Sequence, residues 1–517
     1  MNVKPKSRLH MVLVIVLVSA LVAGCTGKQG GDVKPPVAEG PVYGGKLVVA
    51  IPTDPDGMDP HKAASAAAEE ILFNVYEGLV TSDTEGNIVA AIAKEWTVED
   101  NRVYTFKIRE GVKFHNGRTV TADDVVFSLE RIMNPETGHP RLSEYKVVEK
   151  VEKLDELTVR ITLKEPNAPF LSNLAAVSGA IVPKEAVDTL KDKPVGTGPF
   201  KYVDWTTGQH IKLEKNPDYW KDNLPYLDEV EFRIMADPAA QLMALKTGDV
   251  DVVPRVANES ASEVEADPNL KLLKAPQNLI QLMTMNLKRE PFNNLKVRQA
   301  INYAVNKAEI IEGAMWGYGT ELGSNMSPVM AYWYKDLTGT YPYNPEKAKQ
   351  LLAEAGYPNG FETTLALPAP YAPHVRTGEI IADQLAKVGI KVKLQVIEWG
   401  VWLDDVYTKR NYDMTVIGLT GKLDPHIVLM RYESTYSRNF FNYENPEYDR
   451  YLQEARVIAD PAKRQEIYYK LQEFLARDAV AVYIQDPSLL IAMKKEVEGW
   501  QVYPVYVADI SRVYKSK

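Results

Sequence analysis

Apolar side chains recur at every second position in several stretches of this chain. Tyr104, Phe106 and Ile108 alternate with Thr105, Lys107 and Arg109, and Leu157, Val159, Ile161 and Leu163 repeat the pattern, as do Val230, Phe232 and Ile234. A period of two puts the apolar set on one face of an extended chain, so these segments predict strands. Leu47-Val48-Val49-Ala50-Ile51 is apolar without a break and predicts a buried strand. It is closed by the turn-forming run Pro52-Thr53-Asp54-Pro55-Asp56-Gly57. Elsewhere the period is that of a helix. Val297, Ala300, Ile301, Ala304 and Val305 fall on one helical face. Thr121 with Asp124 forms a capping box ahead of Val125, Leu129, Ile132 and Met133. Ile380, Ile381, Leu385 and Val388 predict a helix ended by Gly389, followed by a strand in which Ile390, Val392, Leu394 and Val396 alternate with polar residues. Helices and strands are interspersed throughout, which predicts a mixed α/β fold.

The first 25 residues follow another pattern. Lys4, Lys6, Arg8 and His10 precede an apolar stretch over residues 11–23 that is shorter than the ~20 residues needed to span a bilayer. A basic start before a short apolar run is the pattern of a signal peptide. The run ends in Leu21-Val22-Ala23-Gly24-Cys25, which resembles a bacterial lipobox, and Cys25 is the only cysteine of the chain. The expected product is a mature chain beginning at a lipidated Cys25, residues 1–24 being removed. Residues 25–45, rich in Gly and Pro, form a flexible tether. That places the folded part outside the cytoplasm, anchored to a membrane through acyl chains.

Composition narrows the function. A net charge of −9 argues against nucleic acid as a partner, which would require a basic face. A single cysteine excludes a disulfide within the chain and any cysteine-cluster metal site. The mean hydropathy of −0.25 argues against a polytopic membrane protein. None of the seven His pairs as H-E-x-x-H, and no phosphate-binding loop, dinucleotide fingerprint or nucleophile elbow is present. No catalytic residue, metal ligand or cofactor is therefore assigned.

Several ordered motifs carry a resemblance. They are Ala90-Ala91-Ile92-Ala93-Lys94-Glu95-Trp96, then Gly111-Val112-Lys113-Phe114-His115-Asn116-Gly117 with Thr121-Ala122-Asp123-Asp124, then Gly196-Thr197-Gly198-Pro199-Phe200, Asn216-Pro217-Asp218-Tyr219-Trp220, Val297-Arg298-Gln299-Ala300-Ile301 and Tyr343-Asn344-Pro345-Glu346-Lys347-Ala348. From about Gly45 to the C-terminus the chain resembles the family 5 extracellular solute-binding proteins of ABC importers, and within them the dipeptide-binding branch. The resemblance implies a two-lobed clamshell. Residues 45–75, 193–285 and 488–517 would form one discontinuous lobe, 76–192 a domain inserted in it, and 286–487 the other lobe. It also implies a monomeric receptor, not an enzyme. Such a receptor encloses a peptide or similar small polar solute between its lobes. It then passes the solute to the transmembrane permease subunits, which work with cytoplasmic ATPases.

Site residues carried over from the family are Trp399 and Trp402 as cleft-lining aromatics, with Tyr371, Tyr145 and Ser65 near the ligand. Two departures bear on the ligand. Where peptide receptors of the family hold the ligand's ammonium with an Asp, this chain reads Leu419-Thr420-Gly421-Lys422-Leu423-Asp424-Pro425. An acid is therefore absent at Gly421 or Lys422, and Asp424 is the nearest replacement. The Arg that holds a dipeptide's carboxylate is also missing before Arg376. A buried ammonium without a counter-charge is costly, so a strong preference for zwitterionic dipeptides is not expected. With Lys422 in place of an acid, a ligand carrying a carboxylate or phosphate fits better. A neutral oligosaccharide stacked on Trp399 and Trp402 is the alternative ligand. A nickel chelate near Asp424-Pro425-His426 and a secreted hydrolase are the weaker ones.

Overall fold

The computed structural model describes residues 40–516; the leader, Cys25 and most of the tether lie outside the described residues. The period-two segments became strands where the pattern placed them: Lys46–Ile51, Val103–Ile108, Thr158–Leu163 and Glu229–Ile234. The helical stretches became Ala122–Met133, with its Thr121–Asp124 capping box intact, and Leu295–Ala304. Helix Ala372–Ala386 and strand Lys391–Ile397 flank Gly389, whose φ of 91° lets the chain reverse between them.

One long strand, Ala481–Lys494, ties two lobes together. Its C-terminal half pairs antiparallel with Leu270–Pro276 and Val252–Val253, and the latter pairs with Lys46–Ile51. Lys46–Ile51 in turn runs parallel to Glu229–Ile234, with His210–Lys215 and Phe200–Thr206 completing this side. Leu47, Val49, Phe200, Val230, Phe232 and Ile491 form the core of this first lobe. The N-terminal half of the long strand pairs with Leu279–Met285, followed outward by Met414–Thr420, Glu362–Pro368 and Lys391–Ile397. These strands and the helices around them bury the second lobe's cores, including Ile280, Leu282, Met283 and Met285. A separate four-stranded antiparallel sheet, Ala93–Glu99, Val103–Ile108, Thr158–Leu163 and Val148–Asp155, packs under helix Ala122–Met133 as the inserted domain.

The expected boundary after residue 285 is corrected. Leu279–Met285 is buried on both faces and lies inside the second sheet, so the chain crosses between lobes at residues 276–279. The return crossing, at residues 486–488, lies beside it, where Pro276 pairs with Ser488. Asp486 binds the two together. Its carboxylate accepts the backbone N–H groups of Gln277 (3.2 Å), Asn278 (3.1 Å) and Leu279 (3.2 Å), and the Ser327 hydroxyl. The inserted domain also touches the second lobe. Asn101 Nδ2 donates to the Ile458 carbonyl (2.8 Å), the Ala168 N–H to the Arg456 carbonyl (2.9 Å), and Arg456 pairs with Glu165 (2.6 Å).

Candidate functional site

Strand Met414–Thr420 ends where it meets the interlobe crossing, with Thr420 opposite Leu279. The chain then has to leave the sheet beside Asn278, where any side chain larger than glycine's would displace that of Asn278. The Gly421 N–H donates to the Asn278 carbonyl (2.6 Å), and a Cβ on Gly421 would lie 1.8 Å from Asn278 Oδ1. Asn278 is itself held by the Pro504 carbonyl (2.8 Å). This close approach swings Thr420, Gly421, Lys422 and Leu423 into the space between the lobes. Opposite them stand Glu69 and Phe73 from the first lobe, Arg141, Glu144 and Asn173 from the inserted domain, and the segment 505–507. Together they enclose a cavity of about 80 Å³.

Its walls carry opposing charges with few partners. Lys422 makes no hydrogen bond or ion pair among the described residues. Burial, with Arg141 and Arg431 nearby, pushes its ammonium down to about 8. Arg141 pairs with Glu69 (3.1 Å), yet burial still raises the Glu69 carboxyl. The Glu144 carboxyl is raised by the same cause, against the pull of Arg141, Lys422 and Arg438. Arg431 lies behind the floor. Its Nη2 donates to the Thr420 carbonyl (2.6 Å), and its Nη1 is buried with no partner. Burial holds this guanidinium below its ordinary range.

The site residues expected from sequence divide into groups. Thr420, Gly421 and Lys422 line the cavity; Leu419, half-buried, packs on the second lobe's core. Trp399, Trp402 and Tyr371 form a cluster apart from that cavity's lining. Trp402 is 2% exposed and its indole N–H donates to Thr415 Oγ1 (2.9 Å), so it is a core residue and offers no face to a ligand. The reason is the wide helical turn over Trp402–Thr408, which brings Tyr407 into a stack with Trp402 at 6.0 Å. Trp399 stacks on the other side of Trp402, at 5.1 Å and 9° between planes. Tyr371, 42% exposed, meets Trp399 edge-on at 5.2 Å.

Tyr145 is corrected to a core role: it is buried in the inserted domain and its hydroxyl donates to the Asn173 carbonyl (3.1 Å). Ser65 caps helix Ala66–Leu72, accepting from the Ala68 N–H (3.2 Å) and donating to Asp56 (2.7 Å). Asp424 is corrected likewise. It caps helix Pro425–Leu429 and pairs with Arg464 (2.9 Å), which leaves its carboxylate no open side for a ligand. Glu69, Arg141, Glu144 and Arg431 were missed. Glu144 precedes the chosen Tyr145 by one position, and a helix of four residues gives no periodicity from which to tell its faces.

The model for bacterial extracellular solute-binding proteins, family 5, matches residues 87–440 of this chain. The glutathione-binding protein GsiB of Pectobacterium atrosepticum is 32% identical over 480 residues, covering 90% of this chain and 93% of that protein. Among solved structures, the periplasmic binding protein DppA from Helicobacter pylori in complex with peptide STSA superposes with a TM-score of 0.75 at 31% identity. It covers 92% of this chain and 99% of DppA. The oligopeptide-binding protein AppA from Bacillus subtilis in complex with a nonapeptide gives 0.74 at 28% identity, covering 92% of this chain and all (100%) of AppA.

Proposed function

Because this chain belongs to the family 5 bacterial extracellular solute-binding proteins, we propose that it is the capture subunit of an ABC importer. It encloses a peptide-class solute between its lobes and hands it unaltered to a membrane permease. The observation that carries this reading is the cavity at residues 420–423, whose walls come from both lobes and the inserted domain at once, so that only closure assembles it. Relatives named for binding glutathione, a peptide and a nonapeptide support the ligand class. In this reading Thr420, Gly421 and Lys422 face the ligand from the second lobe, and Glu69, Arg141 and Glu144 from the opposite side. Segments 45–75, 193–276 and 488–517 move together as one lobe. Trp399 and Tyr371 border the site without enclosing it.

The neutral-oligosaccharide alternative drew on two tryptophans, and the burial of Trp402 removes one of them. Cys25 serves as the lipid anchor, with the segment up to residue 45 as tether; this part of the proposal stands on the sequence pattern alone. Native mass spectrometry of the purified protein tests the reading. The expected result is a bound peptide released intact on denaturation. A co-purified sugar, or a ligand chemically converted during incubation, would overturn it.

A further inference from the structure

The 80 Å³ cavity at Lys422 is smaller than the ~300–1,000 Å³ of ordinary small-molecule sites. It does not end there. Glu144, Asn173 and Ile427 also line a second space of about 810 Å³, open to solvent, between the inserted domain and the second lobe. We propose that this outer chamber is the second compartment of the binding site, and that it receives an acidic side chain of the ligand. The preferred ligand is then an anionic peptide longer than a dipeptide. This inference rests on the peptide-receptor reading above.

The chamber's charges carry the argument. Lys146 and Lys164 reach it from the inserted domain, Arg438 and Arg456 from the second lobe. Glu165 is already paired with Arg456 (2.6 Å) at the rim. Lys164 Nζ is held by the Lys146 carbonyl (2.8 Å), and the side chains of Lys146 and Arg438 have no hydrogen-bond or ion-pair partner among the described residues. Glu144 is the one lining acid not engaged in an ion pair, and it also lines the inner cavity beside Arg141 and opposite Lys422. Just behind the floor stands Arg431, with its buried, unpartnered Nη1. Closing the lobes therefore brings cations from two elements toward each other with too few acids between them. Like charges disfavour that approach unless an anion enters with the ligand.

Isothermal titration of the purified chain tests this with six tripeptides: Glu-Ala-Ala, Ala-Glu-Ala, Ala-Ala-Glu and their Gln counterparts. At least one Glu peptide should bind about tenfold more tightly than its Gln partner, the sum of several part-exposed ion pairs. In a double variant, Lys146→Gln with Arg438→Gln, that ratio should fall toward one. Both side chains are exposed, so the variant's denaturant midpoint should match the parent's. Equal affinities within all three pairs, or a ratio unaltered in the double variant, would overturn the chamber while leaving the peptide reading intact. Failure of all six peptides to bind would remove both.

Discussion

Lys422 lines the proposed site as a cation without an ion-pair partner among the described residues. The resemblance leads one to expect an acid at Gly421 or Lys422, and no described acid lies within ion-pair distance of the Lys422 ammonium. Its pKa near 8 lies below that of a lysine in the unfolded chain, about 10.4. The contribution of this group to stability is therefore present above about pH 10 and lost as pH falls through about 8. Binding has the opposite sign. An anionic ligand favours the protonated amine, so affinity should be full below pH 8 and fall by up to about tenfold per unit above it. Titration in buffers of different ionisation enthalpy should show proton uptake on binding near pH 8.5, and Lys422→Met should abolish both the uptake and the slope. Affinity constant from pH 7 to pH 9.5 would remove Lys422 from contact with the ligand. The neighbouring corrections have a common cause. Sequence identifies Asp424 as an acid in a Pro-containing turn, but not that Arg464, forty positions later, folds back onto it.

At the scale of elements, legibility followed locality. Strand Lys46–Ile51 and helix Ala122–Met133 were readable because their apolar period and capping box lie within a dozen residues. The crossing between lobes was not, because its interactions join Asn278 to Asp486 across 208 positions. The run Leu279–Met285 carries no strict alternation to mark which lobe it enters; mainly apolar on each face, it suits a central strand in either sheet. Trp402 was not legible for a related reason. Both Trp399 and Trp402 suit a cleft wall in sequence, and a wide turn sets Trp402 inward against Tyr407.

The crossing also makes a measurable demand. Four donors converge on Asp486, yet burial outweighs them and raises its carboxyl to about 6. With a folded value above the unfolded one, its contribution is greatest below about pH 4 and is lost as pH rises through about 6. Asp486→Ala leaves three backbone N–H groups and a hydroxyl without an acceptor. The expected loss is about 2–4 kcal/mol in urea unfolding. A loss under 1 kcal/mol would mean that solvent reaches these donors.

For the whole molecule, the proposed closure involves two sets of contacts between the lobes: the paired crossings, and Asn101, Glu165 and Ala168, which reach Arg456 and Ile458 of the second lobe. These latter contacts join the inserted domain to the second lobe and none of them lines the inner cavity, so in the proposed function they act on the rate of opening, which gates release. Asn101→Ala combined with Glu165→Ala should raise the ligand's dissociation rate by about fivefold, from the loss of one hydrogen bond and one exposed ion pair, and leave association nearly unchanged. Stopped-flow displacement would measure both rates, and an unaltered dissociation rate would assign these contacts to the resting shape alone.

A strand common to both halves leaves the molecule without a loose joint. Any swing has to be absorbed as twist in two adjacent backbone ribbons, so it follows one axis and ends where main-chain geometry ends it. In the proposed function, ligands of different bulk would then leave the closed molecule with the same outer shape. A receiver that senses only that silhouette could accept many of them without a separate lock for each.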